Sequence, residues 1–561
     1  MPMDQTSPSI ETPLRRFITG AFFVIIAATT AHLIFSPYGF NPTDDGFTLA
    51  YSRRILDGQV PHRDFITIRP AGSPLLHIPE LLLGGSYAIW LSRYFVWIQF
   101  ACFSWFWTVI LTSLFKLKLG LFEKILFAAV IMTLSSHSFA IMAWHSIDGI
   151  FLASLGIMIC LGAGEWKKSA GYFVLGLSYL CKQNFLLVPF AVLVILGDFR
   201  KIRFWVAAMI PGILYFLFLL FAGAWPDALL QLRSQSVHLR TVGIFTYLSN
   251  PNVPWGILVG FLLFYMFQSE FGNRGEGRRK NIRSLAGMMV LFLYLLLLAR
   301  SMRKGYRVFA RYPSFSLFGI AVGASLYHFL RAREKRGRIA AGCLVLFTAW
   351  SASISFGYNT PALLAGPLAA FILFSIRVDL PATEPRKIER KLYPIFLSIL
   401  FLFCVGFWWM GRSRVVYRDK SLRQLTYSLD GVFPGAKKIK TCDNTFALLA
   451  DLNHLTEKLG EREFCIIPDF ASFWIKSKRS NPLSIDWVQA TELNKKSLTN
   501  RIIGELEKGR GRLTVIAQKY TTDVISTRKE DLLMNDHYEV VRYIRNHWEK
   551  TGDTEFFELY E

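Results

Sequence analysis

Charge is scarce in this chain. Only 18% of its 561 residues are Asp, Glu, Lys or Arg, whereas 52% are hydrophobic and 15% aromatic. Soluble globular chains average about 25% charged, so this composition points to a polytopic membrane protein. Acidic residues are the scarcer sign, 40 against 63 Lys and Arg, for a formal net charge of +23. A nucleic-acid-binding protein would gather that excess in a basic tail or a basic amphipathic stretch, and neither is present. The basic residues fall in short loops between apolar runs, as the positive-inside rule expects.

Cysteine is also scarce. The seven cysteines include no CxxC pair, which removes the usual zinc and iron–sulfur frameworks. Cys102, Cys160, Cys181, Cys343 and Cys404 sit in apolar runs and read as small apolar residues. Cys442 and Cys465 lie in a polar tail, where a disulfide and two free thiols are both open. There is no GxGxxG and no phosphate-binding glycine loop, so a nucleotide site is not supported. Internal repeats are absent, which counts against transporters built from repeated halves. No small-residue cleavage site follows the first apolar run, so that run reads as a retained signal anchor.

What is present is a long series of apolar runs. They fall at 17–35, 93–115, 125–144, 147–163, 171–197, 202–223, 254–268, 284–300, 313–330, 339–356, 361–376 and 392–410. The run at 171–197 is too long for one span, and Lys182-Gln183-Asn184 divides it. The expected fold class is therefore a polytopic α-helical membrane protein with about 13 transmembrane helices. With the N-terminus inside, the loops at 116–124, 165–168, 198–203, 272–283, 331–338 and 377–391 all face the cytoplasm, and all are basic. An odd number of spans sends the tail outside.

The expected organisation is a cytoplasmic N-terminus at 1–16 and a transmembrane region at 17–410, with a first periplasmic loop at 36–92. A C-terminal extracytoplasmic α/β domain follows at 411–561. In that tail KKIKTC, EFCIIPD and LTVIAQ have strand character, while ADLNHLTEKLG and LTNRIIGELEKG have helical periodicity. The stretches 71–90 and 224–250 read as interfacial.

Chemistry-bearing residues collect on the predicted outer side. The first loop, NPTDDGFTLAYSRRILDGQVPHRDFITIRPAGSPLL, carries the adjacent acids Asp44 and Asp45, with Arg53, Arg54, Arg63 and Arg69 behind them. One acid can cap the helix that FTLAYSRRILDG predicts, but a cap does not explain two. A carboxylate beside an attacking hydroxyl is a general base, and a second can orient it. Asp57 and Asp64 read as structural. His145 and Asp148 in WHSIDG form the next polar group, and ionisable residues at membrane depth are functional candidates. Asp44, His145 and Asp148 together could also hold a divalent cation. Lys182 and Gln183 interrupt an apolar run, and a phosphate is a natural partner for that lysine. Arg303, Lys304, Arg307 and Arg311 make an outside loop basic against the topological rule, and arginines clamp phosphate. The bland alternatives are N-caps, snorkelling, and pairing with the first-loop acids.

These residues form a pattern. An acidic pair after the first span, then SRRILDGQVPHRDF and a proline-rich stretch, resembles the GT-C class of membrane glycosyltransferases. The bacterial relatives of protein O-mannosyltransferases and of lipid A aminoarabinose transferase are closest in pattern. HSIDG and LSYLCKQN are similar to that group as well. Two departures stand out: the class commonly has Asp-Glu where this chain has Asp44-Asp45, and Ile68-Arg69-Pro70 replaces an acid followed by Lys-Pro-Pro. The resemblance implies an enzyme of the bacterial inner membrane. It would move a sugar from a polyprenyl-phosphate-linked donor to a hydroxyl of a glycan, lipid or protein acceptor, with inversion. Asp44, Asp45 and Asp148 would be catalytic. Arg69, His145, Lys182, Gln183, Arg303, Lys304, Arg307 and Arg311 would bind substrate and phosphate. The alternatives are a flippase for lipid-linked sugars and an oligosaccharide polymerase or ligase.

Overall fold

The computed structural model describes residues 13–137, 139–233, 239–268, 313–331, 336–355, 358–379, 386–414, 416–521 and 534–561. It is mostly helical, with a few short strands. Among the described residues four helical stretches are long and apolar enough to cross a membrane: Phe17–Phe35, Gly72–Phe115, Ile202–Phe221 and Pro313–Leu330. The first lies in α1 (Pro13–Phe35). Helix α10 (Ile202–Phe221) turns Leu214, Phe218, Leu220 and Phe221 outward, the last 85% exposed. Water would oppose such a surface and lipid would not, so the fold suits a helical membrane protein.

Most other apolar runs are also helices. They include α5 (Ala88–Phe115), α6 (Leu121–Ser136), α7 (His145–Cys160) and the helices Asn252–Gln268, Arg336–Ser353, Ala365–Asp379 and Arg386–Arg414. The run expected at 284–300 lies outside the described residues. The run at 171–197 is broken as its polar triplet suggests. Helix α8 (Glu165–Cys181) stops at Lys182, whose backbone is extended, and α9 (Val188–Ile195) starts after a short turn with Pro189 in its first positions. The proline-interrupted stretch before α5 forms two short helices, α3 (Gly72–Leu76) and α4 (Ile78–Gly84). After α10 comes α11 (Trp225–Arg233).

Small residues allow the closest helix contact. Gly256 and Gly260 on Asn252–Gln268 face Gly319 and Gly323 on Pro313–Arg331. A Cβ on Gly319 would lie 2.4 Å from the carbonyl oxygen of Val253. Such backbone approach is how helices associate where lipid removes the hydrophobic drive.

The first loop is not a solvent-exposed strap. Its helix α2 (Asp44–Leu56) is buried along most of its length, from Asp44 through Ser52. What covers it comes partly from the chain's other end. There β3 (Glu463–Ile467) pairs parallel with β4 (Leu513–Gln518), and β4 and β5 (Lys550–Asp553) flank β6 (Phe557–Tyr560) in antiparallel fashion, giving the order β3-β4-β6-β5. Short strands Tyr427–Ser428 and Lys440–Thr441 form a separate pair. Helices Asp443–Leu459, Lys496–Gly509 and Glu539–His547 pack on the larger sheet. The core of Ile467, Val515, Ile502, Leu506 and Ile544 also takes in Ile66 of the first loop. Cys442 and Cys465 are separate buried thiols, so the disulfide left open for them is not formed. Cys465 lies within β3, opposite Val515, and Cys442 precedes a helix beside Thr445.

Candidate active site

Helix α2 begins because Asn41 accepts the first backbone donors. Its side-chain oxygen takes the N–H of Asp44 at 2.8 Å and that of Thr43 at 3.3 Å. Neither aspartate is therefore needed for that cap. Asp45 reaches back instead, and its Oδ2 accepts the N–H of Asn41 at 2.8 Å. Its Oδ1 accepts from Arg93 of α5, through Nη2 at 2.9 Å and Nε at 3.3 Å. Arg93 gives its other protons to the carbonyls of Ser36 and Gly39, both at 2.6 Å. Burial pushes the Asp45 carboxyl above its ordinary range, and Arg93 opposes this. Both oxygens of Asp45 are thus committed to holding the loop against α5.

Asp44 is placed differently. Its Oδ2 accepts from the Tyr417 hydroxyl at 2.6 Å and lies 2.8 Å from Arg418 Nη1. Both partners follow the helix Arg386–Arg414 directly. Asp45, Arg93, His137, Arg412 and Tyr417 line one cavity of about 50 Å³, with Phe35 and Phe139 among its apolar walls. Asp44 is not itself a lining residue and meets this cavity through Tyr417. A carboxylate held by a phenol and a guanidinium can take a proton from a hydroxyl that reaches it.

The C-terminal segment seals the other face of α2. Ser472 donates its N–H to the carbonyl of Pro42 at 2.9 Å, and the Thr43 hydroxyl donates to the carbonyl of Asp469 at 2.7 Å. Gly46 is required there, since a Cβ would fall 2.1 Å from Ser472 Cα. Arg54 makes a two-pronged pair with Asp486, at 2.7 and 2.8 Å, and also donates to the Leu483 carbonyl. Arg69 pairs with Glu492 at 2.7 Å and lies over the Phe47 ring. Burial pushes Glu492 above the ordinary carboxylate range, with Arg69 opposing. A buried arginine needs a counter-charge, and Glu492 supplies it to Arg69. Its spacing in the sequence carries no sign of a partner more than 400 residues away.

Asp148 and His145, expected to join Asp44, have other neighbours. In the first turn of α7, the fully buried Asp148 accepts from Gln99 Nε2 at 2.7 Å and lies 3.1 Å from His77 Nε2. The other nitrogen of His77 lies 2.7 Å from Glu80 Oε1. His145 packs its ring against Phe47 and Trp144. Among the described residues no group of three His, Cys, Asp or Glu is placed to hold a metal ion. The set Asp44, His145 and Asp148 is thus not assembled, because Asp44 faces Tyr417 and Arg418 while Asp148 faces His77 and Gln99.

Lys182 is buried, as a phosphate ligand or a structural lysine could be. Its Nζ donates to Ser146 at 2.9 Å and Ser355 at 2.7 Å, and no carboxylate lies within ion-pair distance among the described residues. Hydroxyls do not neutralise an ammonium, so an anion would complete this site. Gln183 donates to the Ile68 carbonyl at 2.7 Å. Arg303, Lys304, Arg307 and Arg311 lie outside the described residues.

Sequence reasoning missed Arg93, Tyr417, Arg418 and Arg412 around the acids, and His77, Glu80 and Gln99 around Asp148. Arg93 had a readable signal, a lone arginine opening an apolar run, and Arg412 closes one in the same way. His77 and Glu80 at i and i+3 could have been paired. No protein-family model matches the chain, and no curated protein is significantly similar to it. The GT-C resemblance therefore stands on the motif residues alone.

Proposed function

We propose that the protein is a GT-C-like glycosyltransferase of the bacterial inner membrane, with about 13 spans and a C-terminal α/β domain outside. It moves a sugar from a polyprenyl-phosphate donor to an acceptor hydroxyl at the outer face. One observation carries this reading: of two adjacent buried acids, Asp45 has both oxygens taken by Asn41 and Arg93, while Asp44 meets Arg418 and the cavity-lining Tyr417. A purely structural first turn has no use for the second acid.

In this mechanism Asp44 takes the proton of the acceptor hydroxyl. The acceptor oxygen bonds to the anomeric carbon as the carbon–oxygen bond to phosphate breaks, inverting the centre. The electron pair leaves with the polyprenyl phosphate. Lys182, which has no carboxylate within ion-pair distance among the described residues, favours the departing phosphate. Tyr417 and Arg418 hold Asp44 as the carboxylate. Asp148, set by His77 and Gln99, fixes the start of α7 and so the position of Ser146 beside Lys182.

Purified protein given a radiolabelled polyprenyl-phosphate sugar and an extract of envelope acceptors should release polyprenyl phosphate. A flippase would move the donor and release none. Asp44→Asn protein that is inserted normally and keeps full transfer would remove the base from this scheme.

A further inference from the structure

The cavity beside the acid pair holds a cation that the transfer scheme does not use. Arg412 lies near the outer end of the helix Arg386–Arg414. Among the described residues its hydrogen bonds run only from Nη2, to the carbonyls of Ser136 and Phe139. Its Nε is buried without a partner. The guanidinium rests on the Trp97 ring, 4.9 Å from the centroid, and on Phe35 at 5.8 Å. Among the described residues no carboxylate lies within ion-pair distance of it. Asp45, on the same cavity, is taken by Arg93, and Asp44 by Arg418. Asp419 lies behind this wall and is not part of the lining. Its oxygens accept from the Phe40 and Lys420 N–H groups and the Thr441 hydroxyl.

We infer that this cavity is an oxyanion site, separate from Lys182, in which Arg412 receives a phosphate carried on an apolar chain. Carbonyls and rings hold a guanidinium in place without neutralising it. Planar, fork-like N–H donors match a phosphate. Phe35, Phe139, Ile141 and Leu422 in the lining favour an amphiphile over a free ion. Lys182 is not a lining residue, so the chain would hold two oxyanion sites.

The test is calorimetric titration of the full-length protein in nanodiscs with n-hexyl phosphate, and separately with inorganic phosphate, against empty nanodiscs. Arg412→Gln should remove one equivalent of hexyl phosphate or weaken it at least tenfold, and Arg412→Lys should retain part of it. Ala140→Leu, which fills the cavity and leaves the charge, should weaken it as well; this variant decides if Arg412→Gln does not fold. Tighter binding of hexyl than of inorganic phosphate assigns the source to a lipid phosphate, and equal binding assigns it to a free phosphate group. Titrations unchanged by both Arg412→Gln and Ala140→Leu would overturn the site. No sugar is transferred in this experiment, so its failure is distinct from failure of the transferase reading.

Discussion

Arg93 Nη2 lies 2.9 Å from Asp45 Oδ1 in a pair with almost no exposure to water, and its neighbour Asp44 takes no part in it. Two identical side chains in sequence thus have different work. The adjacent acids alone do not tell the two apart, whereas their partners do: Arg93 for Asp45, Tyr417 and Arg418 for Asp44.

That division predicts different losses. Asp45→Asn leaves Arg93 buried without a counter-charge and should cost about 3–5 kcal/mol of stability. Asp44→Asn should cost less stability, because its partner Arg418 is partly exposed and can be hydrated, while abolishing transfer. Thermal unfolding and transfer assays on the same preparations would separate them. Equal destabilisation by both would contradict the division.

The clamp between α2 and the C-terminal segment gives a second prediction. Breaking Arg69–Glu492 with Glu492→Gln should destabilise by about 3 kcal/mol. Arg69→Met with Glu492→Leu should recover part of that loss, since an apolar pair removes both buried charges together. A double-mutant cycle measures the coupling. Additive losses would show that the pair is not coupled.

Gly46→Ala should separate the same two surfaces. Its Cβ would stand 2.1 Å from backbone at Ser472, which cannot give way cheaply. Faster proteolysis within 468–492 is the expected signature, with α2 still helical. An unchanged digestion pattern would show that the contact is looser than described.

His62 provides a pH prediction. It is buried between Gln231 and Tyr215, each 2.9 Å away, and burial lowers its pKa from 6.5 to about 4. The folded state therefore binds fewer protons than the unfolded one between these values. The stability this provides is full above pH 6.5 and is lost as pH falls toward 4, at most about 3 kcal/mol for such a shift. Hydrogen-exchange protection factors across 59–67, which correct for the slower intrinsic exchange at low pH, should fall over that window, and His62→Gln should remove the dependence. A profile that stays flat in the parent would refute it.

Lys182→Met should raise the donor's KM or remove transfer with little loss of stability, because it deletes a buried amine that lacks a carboxylate partner among the described residues. Lys182→Arg should keep partial activity. A lysine needed only for packing would give the reverse, a lower unfolding temperature with normal kinetics.

Much of the helical framework is readable from apolar length alone, and the break at Lys182 from the cost of a charge in an apolar run. EFCII and LTVIAQ become strands because runs this short and apolar suit a buried sheet. Helix α2 follows from its helical spacing, but its burial does not. That depends on Asp486 and Glu492, whose partners Arg54 and Arg69 are more than 400 residues away. A pattern within one segment cannot show such pairing. The same limit hid Tyr417 and Arg418 beside Asp44, and His77 beside Asp148. The same holds for Arg69: its charge is visible in sequence, but the Glu492 carboxylate paired with it is not.

The most direct measurement is release of polyprenyl phosphate from a radiolabelled polyprenyl-phosphate sugar by purified protein supplied with envelope acceptors, run beside Asp44→Asn. Release by the parent with inverted product, and none by a folded Asp44→Asn, is the predicted result. Transport of intact donor without release, or equal release by both proteins, would contradict a transferase in which Asp44 is the base.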